Sequence, residues 1–159
     1  MRTAFVNGGL AIIVQYWEQH GAEVEGGARV ELRRASVITT PGAAAGIPGF
    51  SVAPIGEGGL WRADLFIGLT DGGRPRFHYH PHFEHGDVGQ RVLADELTAD
   101  PVTWISERLG DLPALLATCE ATDLLDGIDL EEHRRALPAM LAAVDAALGR
   151  ATVSLSHRA

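Results

Sequence analysis

Histidines are concentrated in one short stretch of the chain. Four of the seven fall within eight residues, namely His78, His80, His82 and His85. The first three are spaced by two, so in a β-strand they point to the same side, about 6.5–7 Å apart along the backbone. Two neighbouring imidazoles at that spacing can reach one metal ion, but three on one straight strand rarely do. A further ligand is therefore expected from a neighbouring strand.

The histidines lie on the second strand of a predicted β-hairpin. Residues 60–69 alternate between apolar and polar side chains, followed by the turn signal Asp71-Gly72-Gly73 and a returning strand over 74–83. One face of the hairpin is expected to carry the apolar residues, and the other to carry the polar ones. The apolar set is Trp61, Ala63, Leu65, Ile67, Leu69, Phe77, Tyr79 and Phe83, and the polar set is Arg62, Asp64, Arg76, His78, His80 and His82.

The strand register follows from the requirement that the two apolar faces coincide. A three-residue loop satisfies it by placing Leu65 opposite Tyr79, whereas a two-residue loop does not. The same register places Asp64 opposite His80 and Arg62 opposite His82. Asp64 is therefore expected within reach of the histidines.

These positions predict a metal site. His78 and His80 are the expected ligands, Asp64 or Glu84 completes the set, and His82 lies beside it. Two histidines and one carboxylate form a recurrent ligand set for zinc and for non-haem iron with open coordination positions. A divalent ion, zinc, iron or manganese, is the expected cofactor.

The same segment resembles part of the first motif of the cupin superfamily. That motif has a glycine, five residues, His-x-His, three or four residues and then a glutamate, and Gly72, His78, His80 and Glu84 have this spacing. The resemblance implies that His78, His80 and Glu84 are metal ligands. The later glycine of the motif is replaced by Arg91, and the second cupin motif has no counterpart in the chain.

Three other interpretations of the polar face stay open. Arg33, Arg62 and Arg76, with His82, would form a site for a small anionic molecule, because guanidinium groups match carboxylate and phosphate. In the second interpretation the face is an ordinary solvated sheet surface with no bound ligand. In the third interpretation the protein is an interaction protein that forms a homodimer. Its three tryptophans, Trp17, Trp61 and Trp104, are then candidate anchors, although each is also a typical core residue.

The elements that position these residues predict an α+β fold. Strands over 10–17, 28–36, 60–69 and 74–83 precede helical patterns that begin at Asp100-Pro101, at Asp111 and at Asp129, where Glu132 three residues on resembles a capping box. Strands followed by helices indicate an antiparallel sheet of about four or five strands with the C-terminal helices packed on its apolar face. Pro138 is expected to kink or restart the last helix. The segment 41–54, rich in Gly, Ala and Pro, is expected to be a loop.

Composition limits the classes of protein that the chain can belong to. Its 159 residues predict a single domain over 1–150 and a short tail over 151–159. The net charge of −8 argues against nucleic-acid binding, and the absence of lysine excludes Schiff-base chemistry. No signal peptide or membrane span is evident, and the single cysteine, Cys119, excludes an internal disulfide. A cytoplasmic protein is therefore expected. A bacterial source is expected because all basic residues are arginine and the chain is rich in Ala and Gly.

Overall fold

The fold is an antiparallel sheet followed by helices. A computed structural model describes residues 1–20, 24–35, 58–68 and 77–156. The strands in these ranges are β1 (Arg2–Asn7), β2 (Leu10–His20), β3 (Val24–Arg34), β4 (Gly59–Gly68), β5 (His78–His80), β6 (Phe83–Glu84), β7 (Asp87–Val88) and β8 (Val92–Leu93). Six of them form one sheet in the order β1-β2-β3-β4-β5-β8, and β6 pairs with β7. All pairings among these strands are antiparallel.

The helices follow the last strand. They are α1 (Asp95–Ala99), α2 (Pro101–Gly110), α3 (Leu112–Thr118), a 3₁₀ helix (Thr122–Gly127) and α4 (Leu130–Ser156). The predicted α+β class is confirmed, with a sheet one strand larger than the expected maximum. The sequence did not indicate β1 or β8, because β1 mixes polar and apolar residues and β8 has two residues. None of the helices in the described ranges is long and apolar enough to cross a membrane.

Aspartates cap three of the helices. Asp100 accepts a hydrogen bond from the Thr103 backbone N–H, and Asp111 accepts one from Ala114. Asp129 Oδ1 accepts the N–H groups of both Glu131 and Glu132 at the start of α4. The predicted starts of these helices are therefore confirmed, since a carboxylate satisfies N–H groups that have no partner within the helix.

The edge strand is tied to the start of α4 by one side chain. Asn7 Nδ2 donates to the Asp129 carbonyl at 2.7 Å, and the Asp129 N–H donates to Asn7 Oδ1 at 2.9 Å. In a capping box a glutamate three residues after the cap would bond that N–H. Here Asn7 of β1 accepts the hydrogen bond from that N–H instead, which holds the start of α4 against the sheet.

Helix α4 is longer than the sequence indicated. Pro138 lies inside it, so the expectation that the helix restarts there is wrong. Its buried stripe runs through Met140, Val144, Ala147 and Ala151, at helical spacing, and the helix ends at Ser156. Residues 151–156 are thus helical, although the sequence assigned them to a tail. The division into one domain and a tail otherwise stays a prediction.

The core lies between the helices and one face of the sheet, here called the apolar face. Trp61 of β4 stacks on Trp104 of α2 with ring centroids 6.0 Å apart, and Tyr79 of β5 contacts the same ring at 5.1 Å. The predicted packing of helices on this face is confirmed, and Trp61 and Trp104 are core residues. The buried strand residues of this face include Leu10, Ile12, Val14, Ala28, Val30, Leu32, Trp61, Ala63 and Leu65.

The register between β4 and β5 differs from the expected one. Asp64 pairs with His78 and Arg62 pairs with His80, whereas Asp64 was expected opposite His80. The predicted register is therefore wrong by two residues. Both faces are nevertheless as predicted, because a two-residue shift keeps every side chain on its own side of the sheet. The turn over 69–76, which sets the register, and the loop over 41–54 lie outside the described residues.

Candidate metal centre

The face of the sheet opposite the helices, here called the polar face, is buried where the predicted site lies. Four ionisable side chains are almost inaccessible to solvent, with exposed fractions of 3% for Glu31, 1% for Asp64, 2% for His78 and 5% for His80. The interpretation of these residues as part of a solvated sheet surface is therefore wrong. Buried charged groups need partners, because desolvation strongly disfavours an isolated charge.

Strand pairing brings these residues together in two rows across the sheet. In one row, Asp64 of β4 lies between Arg29 of β3 and His78 of β5. In the adjacent row, Arg62 lies between Glu31 and His80. Since alternate residues of a strand point to the same face, both rows present their side chains on the polar face. Period-two alternation in three separate strands thus produces one compact cluster.

Guanidinium groups surround the two carboxylates of this cluster. Asp64 Oδ1 accepts a hydrogen bond of 2.6 Å from Arg29 Nε, and Glu31 Oε2 accepts one of 2.9 Å from Arg33 Nε. Arg62 Nε lies 2.7 Å from Asp64 Oδ2 and 3.9 Å from Glu31 Oε1. The short contact to Asp64 is an ion pair without hydrogen-bond geometry, because this Nε has no hydrogen-bond partner. Asp64 Oδ2 therefore has a positive charge beside it but accepts no hydrogen bond from this Nε.

Asp64, His78 and His80 each present one ligand atom to a common point. These three atoms lie within 4.8 Å of one another. His78 Nε2 is 3.5 Å from Asp64 Oδ2, and His80 Nε2 is 3.7 Å from the same oxygen. With zinc–ligand bonds of about 2.0–2.1 Å, neighbouring ligand atoms of a tetrahedral site are about 3.4 Å apart. The two nitrogen–oxygen distances are thus a few tenths of an ångström from those of an occupied site.

His80 is oriented by a backbone carbonyl. Its Nδ1 lies 2.8 Å from the carbonyl oxygen of Gly89. Because a carbonyl only accepts hydrogen bonds, Nδ1 carries a hydrogen and donates it to Gly89, which turns Nε2 towards Asp64. Metal-binding histidines are commonly held in this way, with the second ring nitrogen donating to a carbonyl or a carboxylate.

Aromatic contacts fix the second imidazole. The His78 ring stacks on Phe66 with centroids 5.5 Å apart and meets the His80 ring edge-on at 5.2 Å. Phe66 is itself in edge contact with Trp17 on the same face. These contacts restrict the orientation of His78 independently of any ligand, so the arrangement of nitrogens is preorganised.

A small hairpin brings Gly89 to His80. After β5 the chain turns through β6 and β7, with positive φ at His85 and Gly86, and the Gly89 N–H then donates to the His82 carbonyl. Phe83 holds the hairpin on β4 by packing against Gly59, where an added Cβ would lie 2.3 Å from the ring. The sequence did not indicate a part for Gly89, although the Glu84-His85-Gly86-Asp87 turn is a signal for the hairpin.

The structure separates two of the predicted site residues from the buried group. Glu84 is exposed, and its Oε1 lies 3.0 Å from Nε2 of His82, whose side chain is 44% exposed. Arg33 and Arg62 do lie on the polar face, whereas Arg76 is outside the described residues. Gly72, the first residue of the cupin-like pattern, is also outside the described residues. Glu84, the last residue of that pattern, does not belong to the group of ligand atoms formed by Asp64, His78 and His80. Arg29, which the sequence did not single out as a site residue, contacts Asp64.

Comparisons with protein-family models, with curated proteins and with solved structures gave no match. The interpretation of the centre therefore depends on its own geometry.

Proposed function

We propose that the protein binds one divalent transition-metal ion through Asp64 Oδ2, His78 Nε2 and His80 Nε2. The observation that carries the proposal is the convergence of these three atoms within 4.8 Å at a buried position. Asp64 would bind through a single oxygen, because its Oδ1 is hydrogen-bonded to Arg29.

The orientation of His80 favours a ligand over a purely structural cluster. The Nδ1 of His80 donates its hydrogen to Gly89, which turns Nε2 towards Asp64 Oδ2 at 3.7 Å. In a neutral ring this nitrogen is an acceptor, as is the carboxylate oxygen, and the two would bind a metal ion together. A metal ion would use the lone pairs of both imidazoles and of Oδ2.

The donor set limits the choice of metal. Two imidazole nitrogens and one carboxylate oxygen suit zinc, iron(II) or manganese and leave coordination positions free. The described part of the chain places no thiolate in the group of ligand atoms, since Cys119 lies elsewhere and its Sγ contacts the Pro81 carbonyl. Soft ions that require thiolates are therefore not expected.

Elemental analysis of untagged protein, purified without chelator, tests the proposal. We expect close to one zinc, iron or manganese per chain in the wild type and none in a His78→Gln/His80→Gln variant. A matched control is His82→Gln/His85→Gln, because both histidines belong to the same segment but lie outside the group of ligand atoms. Circular dichroism establishes that each variant is folded. The proposal is wrong if the wild type takes up no metal on titration, or if the His78/His80 variant retains it.

A further inference from the structure

Among the residues that the structure describes, three arginines of the polar face pair with carboxylates through only one of their nitrogens. Arg29, Arg33 and Arg62 each direct Nε towards a carboxylate. Among the described residues, none of their Nη atoms makes a hydrogen bond, unlike the two Nη atoms of Arg34, which both bond Asp123. The side chains are 20%, 27% and 17% exposed, so solvent reaches them.

The charges of the described side chains around the centre do not balance. Among these, Arg29, Arg33 and Arg62 contribute three positive charges, and Glu31 and Asp64 contribute two negative ones, which leaves one positive charge before a metal ion is added. A divalent ion raises the excess to three in a chain whose net charge is −8. Because an uncompensated charge in a largely buried site is costly, a negatively charged ligand would stabilise the loaded centre.

The three protein ligands also leave room on the metal. Zinc, iron and manganese take four to six ligands, so one or more positions remain for an exogenous molecule. Asp64 is bonded to Arg29 and lies beside Arg62, so both guanidinium groups contact the carboxylate that would hold the metal ion. Their planar donor forks match carboxylate and phosphate oxygens.

We infer that the centre takes a small anionic ligand, a carboxylate or phosphate compound, that binds the metal ion and the free Nη donors of Arg62 and its neighbours simultaneously. This inference depends on the proposed metal site and names the class of molecule that the site receives. It excludes two simpler cases: an anion that binds the arginines without metal, and a metal centre that binds neutral molecules alone.

Cobalt-loaded protein provides the test, because the visible absorption of Co²⁺ changes when a ligand enters its coordination sphere. Glycolate and inorganic phosphate are titrated separately into the loaded protein, and the cobalt content is measured in the same samples. The variants are Arg62→Gln and Arg33→Gln. Arg150→Gln is the control, because Arg150 is an exposed residue on α4.

We expect at least one of the two anions to shift the cobalt spectrum of the wild type and of Arg150→Gln. Arg62→Gln should retain one cobalt per chain, but its affinity for the anion should fall by about tenfold or more, because a charge-assisted hydrogen bond is lost. Full metal loading with no response to either anion would overturn this inference and leave the metal site intact. Equal affinity in Arg62→Gln, or equal binding without metal, would also overturn it. A wild type that takes up no cobalt overturns the proposed function itself.

Discussion

The two faces of the sheet are both buried, but they are built from opposite kinds of residue. The apolar face packs Trp61, Ala63 and Leu65 against the helices, and its contacts depend on shape and apolar area. The polar face buries Glu31, Asp64, His78 and His80 to nearly the same degree.

Burial affects the stability of the folded protein differently on each face. On the apolar face it is the main source of stability, at about 25 cal/mol per Å² of apolar surface removed from water. On the polar face it imposes a desolvation cost that ion pairs offset only in part. A protein that needed the polar face for stability alone would be as stable with apolar residues there. The cost of burying these charged groups therefore supports the proposed binding site.

The largest effect on stability is expected on the apolar face. Trp61→Ala removes a side chain that is 1% exposed and stacked on Trp104, and should lower the free energy of unfolding by about 3–5 kcal/mol. Urea denaturation measures it. The control is Val6→Ala on the edge strand, where the side chain is 55% exposed and the change should stay within about 0.5 kcal/mol. Equal effects at the two positions would contradict the placement of the core.

Asp64→Asn is expected to have the next largest effect, because it leaves Arg29 and Arg62 without their shared carboxylate. Breaking a buried ion pair from one side costs about 3 kcal/mol or more, and the variant should also lose its metal. The matched control is Asp123→Asn, which breaks an exposed pair with Arg34 and should change stability much less. If the two substitutions have the same effect, the polar face is not energetically buried.

Metal binding should stabilise the folded protein through the polar face alone. At a free zinc concentration of about 100 times Kd, the unfolding free energy should rise by about 2.7 kcal/mol. The increase should disappear with EDTA and be absent from the His78→Gln/His80→Gln variant, but it should persist in Trp61→Ala. Thermal denaturation with and without zinc measures it, and stabilisation of the histidine variant would locate the metal elsewhere.

Gly89→Ala should weaken metal binding by altering the orientation of His80. An added Cβ would lie 2.8 Å from the His82 carbonyl oxygen, so the backbone that presents the Gly89 carbonyl must shift. Loss of such an orienting contact typically lowers metal affinity by about 10–100-fold. Competition with a coloured chelator measures the affinity. Gly149→Ala, where an added Cβ meets nothing within 4 Å, should leave it unchanged.

The smallest effect concerns Cys119, which lies where the helices meet the end of β5. Burial raises the pKa of its thiol to about 11, from 9.0 for an unperturbed group. Between these values the unfolded chain loses the proton first, so this thiol makes stability fall as the pH rises, by on the order of 1 kcal/mol at pH 10. The unfolding free energy of wild type relative to Cys119→Ala should decrease from pH 8 to pH 10. A constant difference would show that the thiol is accessible to water.

Local patterns in the sequence were sufficient for much of this fold. A run of apolar residues predicted β2, and period-two alternation predicted β3 and β4 and the face to which each side chain of β4 and β5 points. Capping signals predicted the starts of α2, α3 and α4, because a carboxylate at the N-cap acts over three residues. The histidine spacing identified His78 and His80, and the hairpin argument added Asp64.

The errors have a common physical origin in distance along the chain. Hydrophobic alternation determines the face but not the register, since a shift of two residues buries the same set. Gly89, whose carbonyl contacts His80, lies nine residues after it in the chain. Arg29, whose guanidinium contacts Asp64, lies 35 residues before it. Such contacts have no local signature. Glu84 illustrates the converse, because a pattern of short spacing assigned it to the site and the turn after β5 directs it to solvent.

The sequence therefore determined the class of the fold, the faces of the hairpin and the residue types available for chemistry. These follow from propensity, periodicity and capping, which act between residues close in the chain. Tertiary structure decided which residues meet, how deeply the polar face is buried, and that Gly89 contacts His80 and Arg29 contacts Asp64. It decided these because burial and ligand geometry arise from packing between strands that lie far apart in the chain.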